Sequence, residues 1–497
     1  MIRIKDLLKT CEYKNLYGNQ NFQIEDISYD SRKTDKNHLF IAIDGVDQDG
    51  HKYIGLAVEK GARALVVSKD FDKYIDLYPN LTIIEVFHAR RFLAQASSVF
   101  FENPSASLNL IGITGTKGKS TISYMIKEIF DKASKATAII GTMGAVYGDK
   151  TKDLSATTPA SYDLQKLFLD FKNAGVKTCV MEVSSIALKQ DRVYGLDFSA
   201  VLYTNLTQAH ITPREHPTFD DYYQSKKMIF QKSPLVFVNR DDDLVMKALE
   251  EFIKEDNFKS ERKIHTIGLD SKADIYASDI KSENHKSTFR YVGLGQDFEI
   301  EVDMPGLFNV YNALFAASLA LINNIDIEYI KEALRVVQVK GRCEKVETKR
   351  DFTLMIDYAH TPDSLEKLLV AVKETHNKGR VICLFGCGGD RDKYMRPLMG
   401  EISGLNADFT IITSDNSRTE DPDNIIAMIE EGIKKTKGQY IRITDRTQAI
   451  YHGLSIAKKD DILILAGKGH ETYMDVGGEK INYDEREIVK EALEKIK

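Results

Sequence analysis

The chain has 497 residues, of which 43% are hydrophobic and 29% charged, a composition typical of a globular protein with about three domains. The net charge of −6 does not favour nucleic acid or anionic lipid as a partner, because both are bound by concentrated positive charge. No apolar run approaches the roughly 18 residues that span a bilayer, no secretory signal is recognisable, and the five cysteines are scattered, so we expect a cytoplasmic protein.

Strands and helices alternate along the chain in three series. Residues 1–103 mix short elements with Gly-rich turns, and a turn signal at Asn103 and Pro104 opens the second series. The second series, residues 104–337, contains apolar runs typical of buried parallel strands. These runs lie at residues 108–113, 176–183, 200–203 and 235–238.

The third series, residues 338–497, repeats this pattern. We predict strands at residues 353–356, 381–385, 409–413 and 462–465, and an amphipathic helix at residues 364–372. Such alternation predicts an α/β protein with doubly wound parallel sheets in the second and third domains. Ligands of such sheets bind beyond the carboxyl ends of the strands.

A glycine-rich segment at residues 111–121 follows a predicted strand and opens a helix, which is the context of a phosphate loop. Lys119 would contact the β and γ phosphates and the Ser120 hydroxyl would ligate Mg²⁺. Ile113 departs from the general pattern, and the motif alone leaves kinases, GTPases and ATPases open. The residues predicted to bind ATP here are Gly115, Thr116, Lys117, Gly118, Lys119, Ser120 and Thr121.

Three further segments follow in order, each with an ordinary alternative explanation. Glu182 ends a strand and could hold a cation, although such a residue is often only a solvated strand end. His210 follows the next strand, where a lone histidine is usually structural. Lys226 belongs to a lysine pair on a helix, which is normally a solvated face.

Together with the compact loop at residues 114–121, these segments resemble the centre of a Mur ligase; folylpolyglutamate synthases share the loop. The resemblance implies that Lys119, Glu182, His210 and Lys226 are catalytic and that Glu182 and His210 bind a second Mg²⁺. It also implies that Lys226 is carbamylated to N6-carboxylysine, a metal ligand beside Ser120. Charge favours this modification, because Mg²⁺ repels an ammonium and attracts a carbamate.

The resemblance covers nearly the whole chain. It implies that Asn309, Arg342 and Asp357 contact ATP, although helix capping or a surface ion pair would explain such residues singly. The N-terminal domain resembles a UDP-binding module. The residues that match contacts of the UDP-linked substrate are Ser31, Thr157, Thr158, Ser184, Gln190 and Arg192.

Within the family, the pattern is that of members that add the third amino acid to a UDP-muramoyl dipeptide. The matching amino-acid contacts are Arg391, Asp415, Asn416, Ser417, Arg418, Gly467 and Glu471. Arg418 favours meso-diaminopimelate, because a guanidinium can bind its distal carboxylate in a fork. Ser417 in place of proline and Ile186 in place of histidine depart from the pattern of members that add meso-diaminopimelate, and the stretch at residues 210–219 resembles members that add L-lysine.

The implied reaction is an acyl transfer in two steps: the dipeptide carboxylate takes the γ-phosphoryl group of ATP, and the amine of the diamino acid then displaces phosphate. His360 is a candidate for accepting the amine proton. We expect a monomer that binds the UDP-muramoyl dipeptide, ATP and a diamino acid with Mg²⁺, and neither nucleic acid nor membrane. A folylpolyglutamate synthase and an inactive partner-dependent Mur-like subunit are the alternatives.

Overall fold

The computed structural model describes residues 1–45, 48–208, 211–212, 215–255, 262–283, 285–376 and 378–496. The chain divides into two units, Met1–Asp274 and Ile275–Lys497. Within the described ranges, no helix combines the length and the apolar character needed to cross a membrane.

The N-terminal part of the first unit is a sheet with helices. Its elements are β1 (Ile2–Arg3), α1 (Ile4–Leu8), β2 (Asn15–Tyr17), β3 (Gln23–Ile24), β4 (Asp26–Ser28), β5 (His38–Ile41), α2 (Ile54–Glu59), β6 (Ala64–Val67), α3 (Phe71–Leu77), β7 (Thr82–Glu85) and α4 (Ala89–Phe100). The strand order is β2-β7-β6-β5-β4, with β2 antiparallel to β7 and the others parallel, while β1 pairs with β3.

The rest of the first unit contains the phosphate loop. Its elements are β8 (Asn109–Thr114), α5 (Lys119–Lys132), β9 (Thr137–Gly141), β10 (Gly144–Tyr147), β11 (Lys150–Lys152), α6 (Ser161–Asn173), β12 (Thr178–Glu182), α7 (Ser185–Lys189), β13 (Ala200–Tyr203), α8 (Phe219–Lys227), β14 (Leu235–Asn239), α9 (Asp243–Glu255) and β15 (Lys263–Gly268). Within the unit the strand order is β11-β10-β9-β12-β8-β13-β14-β15. The six neighbouring strands β9-β12-β8-β13-β14-β15 of this sheet are parallel to one another.

The register of these strands brings their ends together. Glu182 pairs with Ile113, and Tyr203 pairs with Thr114, so β12, β8 and β13 end at one edge of the sheet. Apolar side chains on both faces of the strands are buried against the flanking helices. The polar residues that follow the three strands therefore meet at one place.

The second unit begins with three antiparallel strands in the order β16-β17-β18 and continues with a parallel sheet. Its elements are β16 (Ile275–Glu283), β17 (Lys286–Gly293), β18 (Gln296–Val302), α10 (Leu307–Ile322), α11 (Ile327–Val336), β19 (Glu344–Val346), β20 (Thr353–Asp357), α12 (Pro362–Thr375), β21 (Val381–Phe385), α13 (Met395–Asn406), β22 (Phe409–Ile412), α14 (Pro422–Ile433), β23 (Gln439–Arg442), α15 (Arg446–Ile456), β24 (Ile462–Ala466), β25 (Tyr473–Val476), β26 (Glu479–Asn482) and α16 (Glu485–Lys495). The parallel sheet has the order β19-β20-β24-β21-β22-β23, with β19 antiparallel at its edge, and β25 pairs with β26.

The predicted α/β fold with several parallel sheets is confirmed, and each predicted strand is present within two residues of its expected ends. The predicted helix at residues 364–372 begins earlier, at Pro362, because Thr361 caps it and proline suits a first helical position. The strands β16, β17 and β18 were not predicted. Their residues alternate between the buried and the more exposed side, so they lack the continuous apolar run of a parallel strand. The domain boundaries at 103/104 and 337/338 stay a prediction.

Candidate active site

The phosphate loop connects β8 to α5 and depends on two glycines. Gly115 has φ +146° and Gly118 has φ +87°, backbone conformations that side chains disfavour. A Cβ atom at Gly115 would lie 2.0 Å from Thr204 Oγ1, so the loop can approach β13 only with glycine there. Because α5 begins at Lys119, the positive end of its helix dipole faces the loop and favours an anion there.

The residues that follow β13 fix the shape of this loop. The Thr116 N–H donates to the Asn205 carbonyl (2.9 Å), and the Lys117 N–H donates to Asn205 Oδ1 (2.8 Å). Thr204 Oγ1 donates to the Lys117 carbonyl (2.8 Å). The loop therefore holds its conformation through contacts with residues almost ninety positions away in the sequence.

Lys119 folds back over the loop. Its Nζ donates to the carbonyl oxygens of Gly115 (2.8 Å) and Thr116 (3.2 Å). These contacts place a positive charge at the mouth of the loop, where the phosphates of a nucleotide would lie.

Glu182 lies beside this loop and is almost completely buried. Its Oε1 accepts hydrogen bonds from Ser120 Oγ (2.8 Å) and the Thr142 N–H (3.2 Å), and its Oε2 accepts one from Thr142 Oγ1 (3.0 Å). A Cβ atom at Gly141 would lie 2.2 Å from Glu182 Oε1, so glycine makes room for the carboxylate. A carboxylate beside two hydroxyls is the oxygen-rich set that Mg²⁺ prefers.

Lys226 is also buried and lies under the loop, with 2% of its surface exposed. Its Nζ donates to the Gly115 carbonyl (2.9 Å) and lies 5.0 Å from the centre of the Tyr222 ring. Burial, together with the nearby charge of Lys119, holds the pKa of Lys226 well below its usual value. His210, the remaining residue of the predicted metal site, lies outside the described residues.

Most residues predicted for the UDP-linked substrate are attached to the same strand end. Thr158 Oγ1 donates to the Glu182 carbonyl (2.8 Å) and Arg192 Nη1 donates to the Thr158 carbonyl (2.7 Å). Arg192 also donates to Gln190 Oε1 (2.9 Å), and Ser184 Oγ lies 3.2 Å from Thr158 Oγ1.

Of the other two residues of that set, Thr157 lies next to Thr158 and Ser31 lies in another element. Thr157 Oγ1 lies 3.3 Å from Thr142 Oγ1, which in turn contacts the Glu182 carboxylate. Ser31 belongs to a separate element, the short 3₁₀ helix Ser31–Lys33 of the N-terminal part. The structure thus gathers five of the six predicted residues around one strand end.

In the second unit, Asn309, Arg342 and Asp357 lie around Cys343. The Cys343 N–H donates to Asp357 Oδ2 (2.7 Å), and the Arg342 guanidinium lies 4.7 Å from the centre of the Tyr358 ring. Asn309 Nδ2 donates to the carbonyl of Pro305 (2.8 Å). Burial raises the pKa of Asp357, although the charge of Arg342 opposes the shift.

The residues predicted to bind the amino acid include a polar cluster beside β24. Asn416 Nδ2 donates to Glu471 Oε2 (2.9 Å), and the fully buried Lys468 donates to both Asn416 Oδ1 and Glu471 Oε2, each at 3.2 Å. A Cβ atom at Gly467 would lie only 2.7 Å from Asp415 Oδ2. This arrangement can orient the polar groups of an amino acid.

Arg418 sits on a loop that the β25–β26 hairpin fixes. It has φ +50°, its N–H donates to the Asp475 carbonyl (3.0 Å), and its carbonyl accepts from the Gly477 N–H (2.7 Å). Its guanidinium donates to the Gly389 carbonyl. The preceding Ser417 is buried, while Arg391 is exposed. The hairpin thus supplies backbone restraint that a proline at position 417 would otherwise provide.

Two contributors, Thr142 and Lys468, were not singled out from the sequence. Thr142 follows β9 directly, and the rule that strand ends carry the site could have found it. Lys468 lies between Gly467 and Glu471, both of which were selected.

A parallel sheet with a phosphate loop, a covering lysine and a buried carboxylate at the next strand end defines a nucleotide-binding α/β protein. Family descriptions match most of the chain: "Mur ligase family, catalytic domain" at residues 23–101, "Mur ligase middle domain" at residues 113–320 and "Mur ligase, glutamate ligase domain" at residues 341–469. The chain belongs to the Mur ligase family, and it is an ATP-dependent ligase that forms amide bonds.

Relatives in sequence carry the name of one kind of enzyme. The chain is 44% identical over 99% of both chains to a UDP-N-acetylmuramoyl-L-alanyl-D-glutamate–2,6-diaminopimelate ligase of Caldanaerobacter subterraneus subsp. tengcongensis, and 42% identical over 100% of both to one of Clostridium acetobutylicum. A solved structure with the same name has a TM-score of 0.72 at 27% identity, covering 99% of both chains. A folylpolyglutamate synthase of Mycobacterium tuberculosis covers 75% of this chain at 15% identity with a TM-score of 0.60, which reflects the fold alone.

Proposed function

We propose that this enzyme joins meso-diaminopimelate to UDP-N-acetylmuramoyl-L-alanyl-D-glutamate in peptidoglycan synthesis. Relatives that are 40–44% identical over nearly the full chain carry the name of this reaction. The observation that carries the proposal is the shared strand end of β12. Ser120 ties the phosphate loop to the Glu182 carboxylate there, and Thr158 ties the predicted dipeptide-binding residues to the Glu182 carbonyl.

This placement suits attack of a carboxylate on ATP. In the first step, an oxygen of the D-glutamate side chain forms a bond to the γ-phosphorus as the bond to the ADP oxygen breaks. Lys119 would move from the loop carbonyls to the phosphoryl oxygens and offset their charge. In the second step, the amine attacks the acyl carbon, phosphate leaves, and the amine loses a proton.

Ser120, Glu182 and Lys226 are the described residues proposed to hold Mg²⁺, with His210 as a further ligand. The Ser120 hydroxyl and the Glu182 carboxylate already lie 2.8 Å apart, as two oxygen ligands of one ion would. When bound, Mg²⁺ would neutralise charge on the phosphate oxygens.

The surroundings of Lys226 favour its carbamylation to N6-carboxylysine. Only a neutral amine can attack carbon dioxide, and burial holds the pKa of Lys226 well below its usual value. The attack forms a nitrogen–carbon bond and releases a proton, which leaves a carbamate anion. A negative group at this position would be attracted to Mg²⁺ instead of repelled.

Arg418 is proposed to select the amino acid. The distal carboxylate of meso-diaminopimelate would replace the Gly389 carbonyl as its partner and accept a charge-assisted pair of hydrogen bonds. Two of the other predicted contacts, Asn416 and Glu471, would face the amino groups and carboxylate of the same molecule. L-lysine lacks the distal carboxylate and would leave the guanidinium without this partner.

Ligation assays with purified protein test the proposal. UDP-muramoyl dipeptide, ATP, Mg²⁺ and a panel of amino acids are supplied, and ADP and the tripeptide product are measured. We expect product with meso-diaminopimelate and far less with L-lysine. Preferential use of L-lysine would replace the amino-acid assignment, and use of a folate acceptor alone would overturn the function.

We propose further that the enzyme acts in the cytoplasm as a monomer.

A further inference from the structure

A buried histidine beside the site has both ring nitrogens engaged. His216 is completely buried, with Nε2 2.8 Å from Ser185 Oγ and Nδ1 2.6 Å from Asp221 Oδ2. Burial lowers the pKa of His216, which favours the neutral ring. Burial opposes ionisation of Asp221, but hydrogen bonds from Lys189 and His216 lower its pKa overall. Hence Nδ1–H donates to the carboxylate, and Nε2 accepts from the Ser185 hydroxyl.

This chain of hydrogen bonds secures a very short helix. α7 has five residues, too few for a helix to be stable by itself. Its first residue, Ser185, reaches Asp221 through His216, and its last residue, Lys189, donates to Asp221 Oδ2 directly at 2.7 Å. Both ends of α7 are therefore fastened to one carboxylate.

The helix so fastened is flanked by three of the residues proposed to bind the UDP-linked dipeptide, namely Ser184, Gln190 and Arg192. Ser184 caps its N-terminus by accepting a hydrogen bond from the Ala187 N–H (3.3 Å). Gln190 follows its C-terminus and accepts from Arg192. A displacement of α7 would move all of these groups together.

The carboxylate that holds α7 belongs to a helix in contact with the phosphate loop. Asp221 lies in the first turn of α8, where Thr218 accepts a hydrogen bond from its N–H. The next residue, Tyr222, has its hydroxyl 3.1 Å from Thr116 Oγ1 and its ring 5.2 Å from that of His216. The same helix carries Lys226.

We propose that His216 and Asp221 are positioning residues that hold the dipeptide-binding segment, residues 184–192, in register with the phosphate loop. This inference rests on the proposed function, because it assigns the segment to the UDP-linked dipeptide. Both residues act through Ser185 and Lys189 and touch neither ATP nor the amino acid. Their loss changes the affinity for the dipeptide substrate and the alignment of its carboxylate.

Steady-state kinetics of the full chain test this assignment. We expect His216→Ala to raise the KM for UDP-muramoyl dipeptide by about tenfold or more, as loss of a supporting residue commonly does, while the KM values for ATP and the amino acid stay within about twofold. Ser185→Ala should have a similar effect. The double variant should be no worse than His216→Ala alone, because both changes remove the same connection.

Asp221→Asn tests the carboxylate that holds α7, and Asp220→Asn is its matched control. Asp220 is exposed on the same turn of α8, and its replacement should leave all three KM values unchanged. His216→Gln, which can keep a bond to Ser185, should restore part of the dipeptide affinity and remains informative if His216→Ala does not fold. An equal loss for all substrates with a lowered Tm, or additive effects of Ser185→Ala and His216→Ala, would overturn the assignment. Absence of ligation by the unaltered enzyme would instead refute the proposed function.

Discussion

Ser120 Oγ lies 2.8 Å from Glu182 Oε1, and this hydrogen bond joins the first turn of α5 to the carboxyl end of β12. The two residues are 62 positions apart in the sequence and both are buried. The serine belongs to the phosphate loop, and the carboxylate lies at the strand end that also carries the predicted dipeptide-binding residues. Under the proposed function, their contact would bring the two substrates of the first chemical step to one edge of the sheet.

Replacing the Glu182 carboxylate by an amide should slow catalysis without disrupting the fold. Glu182→Gln keeps the size of the side chain and an oxygen that can accept from Ser120. It removes the negative charge that would attract Mg²⁺. We expect kcat to fall by about 10²–10³-fold, the range seen when one group that stabilises transition-state charge is lost. The Mg²⁺ concentration needed for half-maximal rate should rise as well.

The exposed Glu250, on α9, provides the control for this variant. Glu250→Gln should match the unaltered enzyme in kcat and in Mg²⁺ dependence. A Glu182→Gln enzyme with normal Mg²⁺ dependence would show that Glu182 has no role in metal binding.

Lys226 should be required as the carrier of a carbamate. Lys226→Ala should lose at least about 10²-fold in kcat, because neither a positive side chain nor an apolar one can replace an anionic ligand. Acetate or formate should partly restore this variant by filling the vacated space with a carboxylate. Mass spectrometry of the intact native protein should show an increment of one carbon dioxide that disappears after acid treatment.

The neighbouring Lys227 is the matched control, since it lies on the same helix and pairs with Glu255 at 2.8 Å. Lys227→Arg should retain that ion pair and normal kcat. If Lys226→Arg were as active as the unaltered enzyme, a carbamate would be excluded, because the protonated guanidinium of arginine does not form one.

The sequence predicted those parts of the site that depend on local pattern. The loop around Lys119 and the strand end at Glu182 follow from glycine spacing and apolar runs, and the structure places them as neighbours. Thr142 could have been selected as a residue that follows a strand, but neither its contact with Glu182 nor the contact of His216 with Ser185 could be predicted from local pattern. Thr142 contacts Glu182 across 40 positions and His216 contacts Ser185 across 31, so their surroundings exist only after the strands and helices have packed.

Arg418 should determine which amino acid is accepted. Arg418→Ala should reduce kcat/KM for meso-diaminopimelate by about 10–10³-fold, since the variant loses a charge-assisted pair of hydrogen bonds to a carboxylate. Its KM for ATP should not change, and its activity with L-lysine should be at least as high as before. Competition between the two amino acids in one reaction, followed by analysis of the products, measures the selectivity directly.

Arg442→Ala serves as the control, because Arg442 also forms hydrogen bonds in the second unit but pairs with the exposed Asp423. It should retain the selectivity of the unaltered enzyme. Equal loss of both amino acids in Arg418→Ala would mean that Arg418 supports the loop and does not recognise the distal carboxylate.

Glu420 should stabilise the second unit in a manner that depends on pH. Hydrogen bonds from the buried Arg396 at 2.7 and 2.9 Å lower the pKa of Glu420 to about 2, from an ordinary value of 4.5. A carboxylate whose pKa falls on folding contributes stability that is fully present above the unfolded value and is lost as pH falls through the folded one. Glu420→Gln should therefore lower the free energy of unfolding by about 2 kcal/mol at pH 7, the scale of a charge-assisted hydrogen bond. The difference from the unaltered protein should shrink steadily as pH falls from 4.5 towards 2.

Urea unfolding at pH 7, 5 and 3.5 measures this dependence. Glu431→Gln, at an exposed position on α14, should have little effect at any of these pH values. At pH 3.5 the Glu420 carboxylate of the unaltered protein should have begun to be protonated in the unfolded state but not in the folded state. If Glu420→Gln lowered the free energy of unfolding by the same amount at pH 7 and at pH 3.5, an electrostatic origin would be contradicted. The buried guanidinium of Arg396 would then be held by packing, and Glu420 would contribute only shape to this corner of the unit.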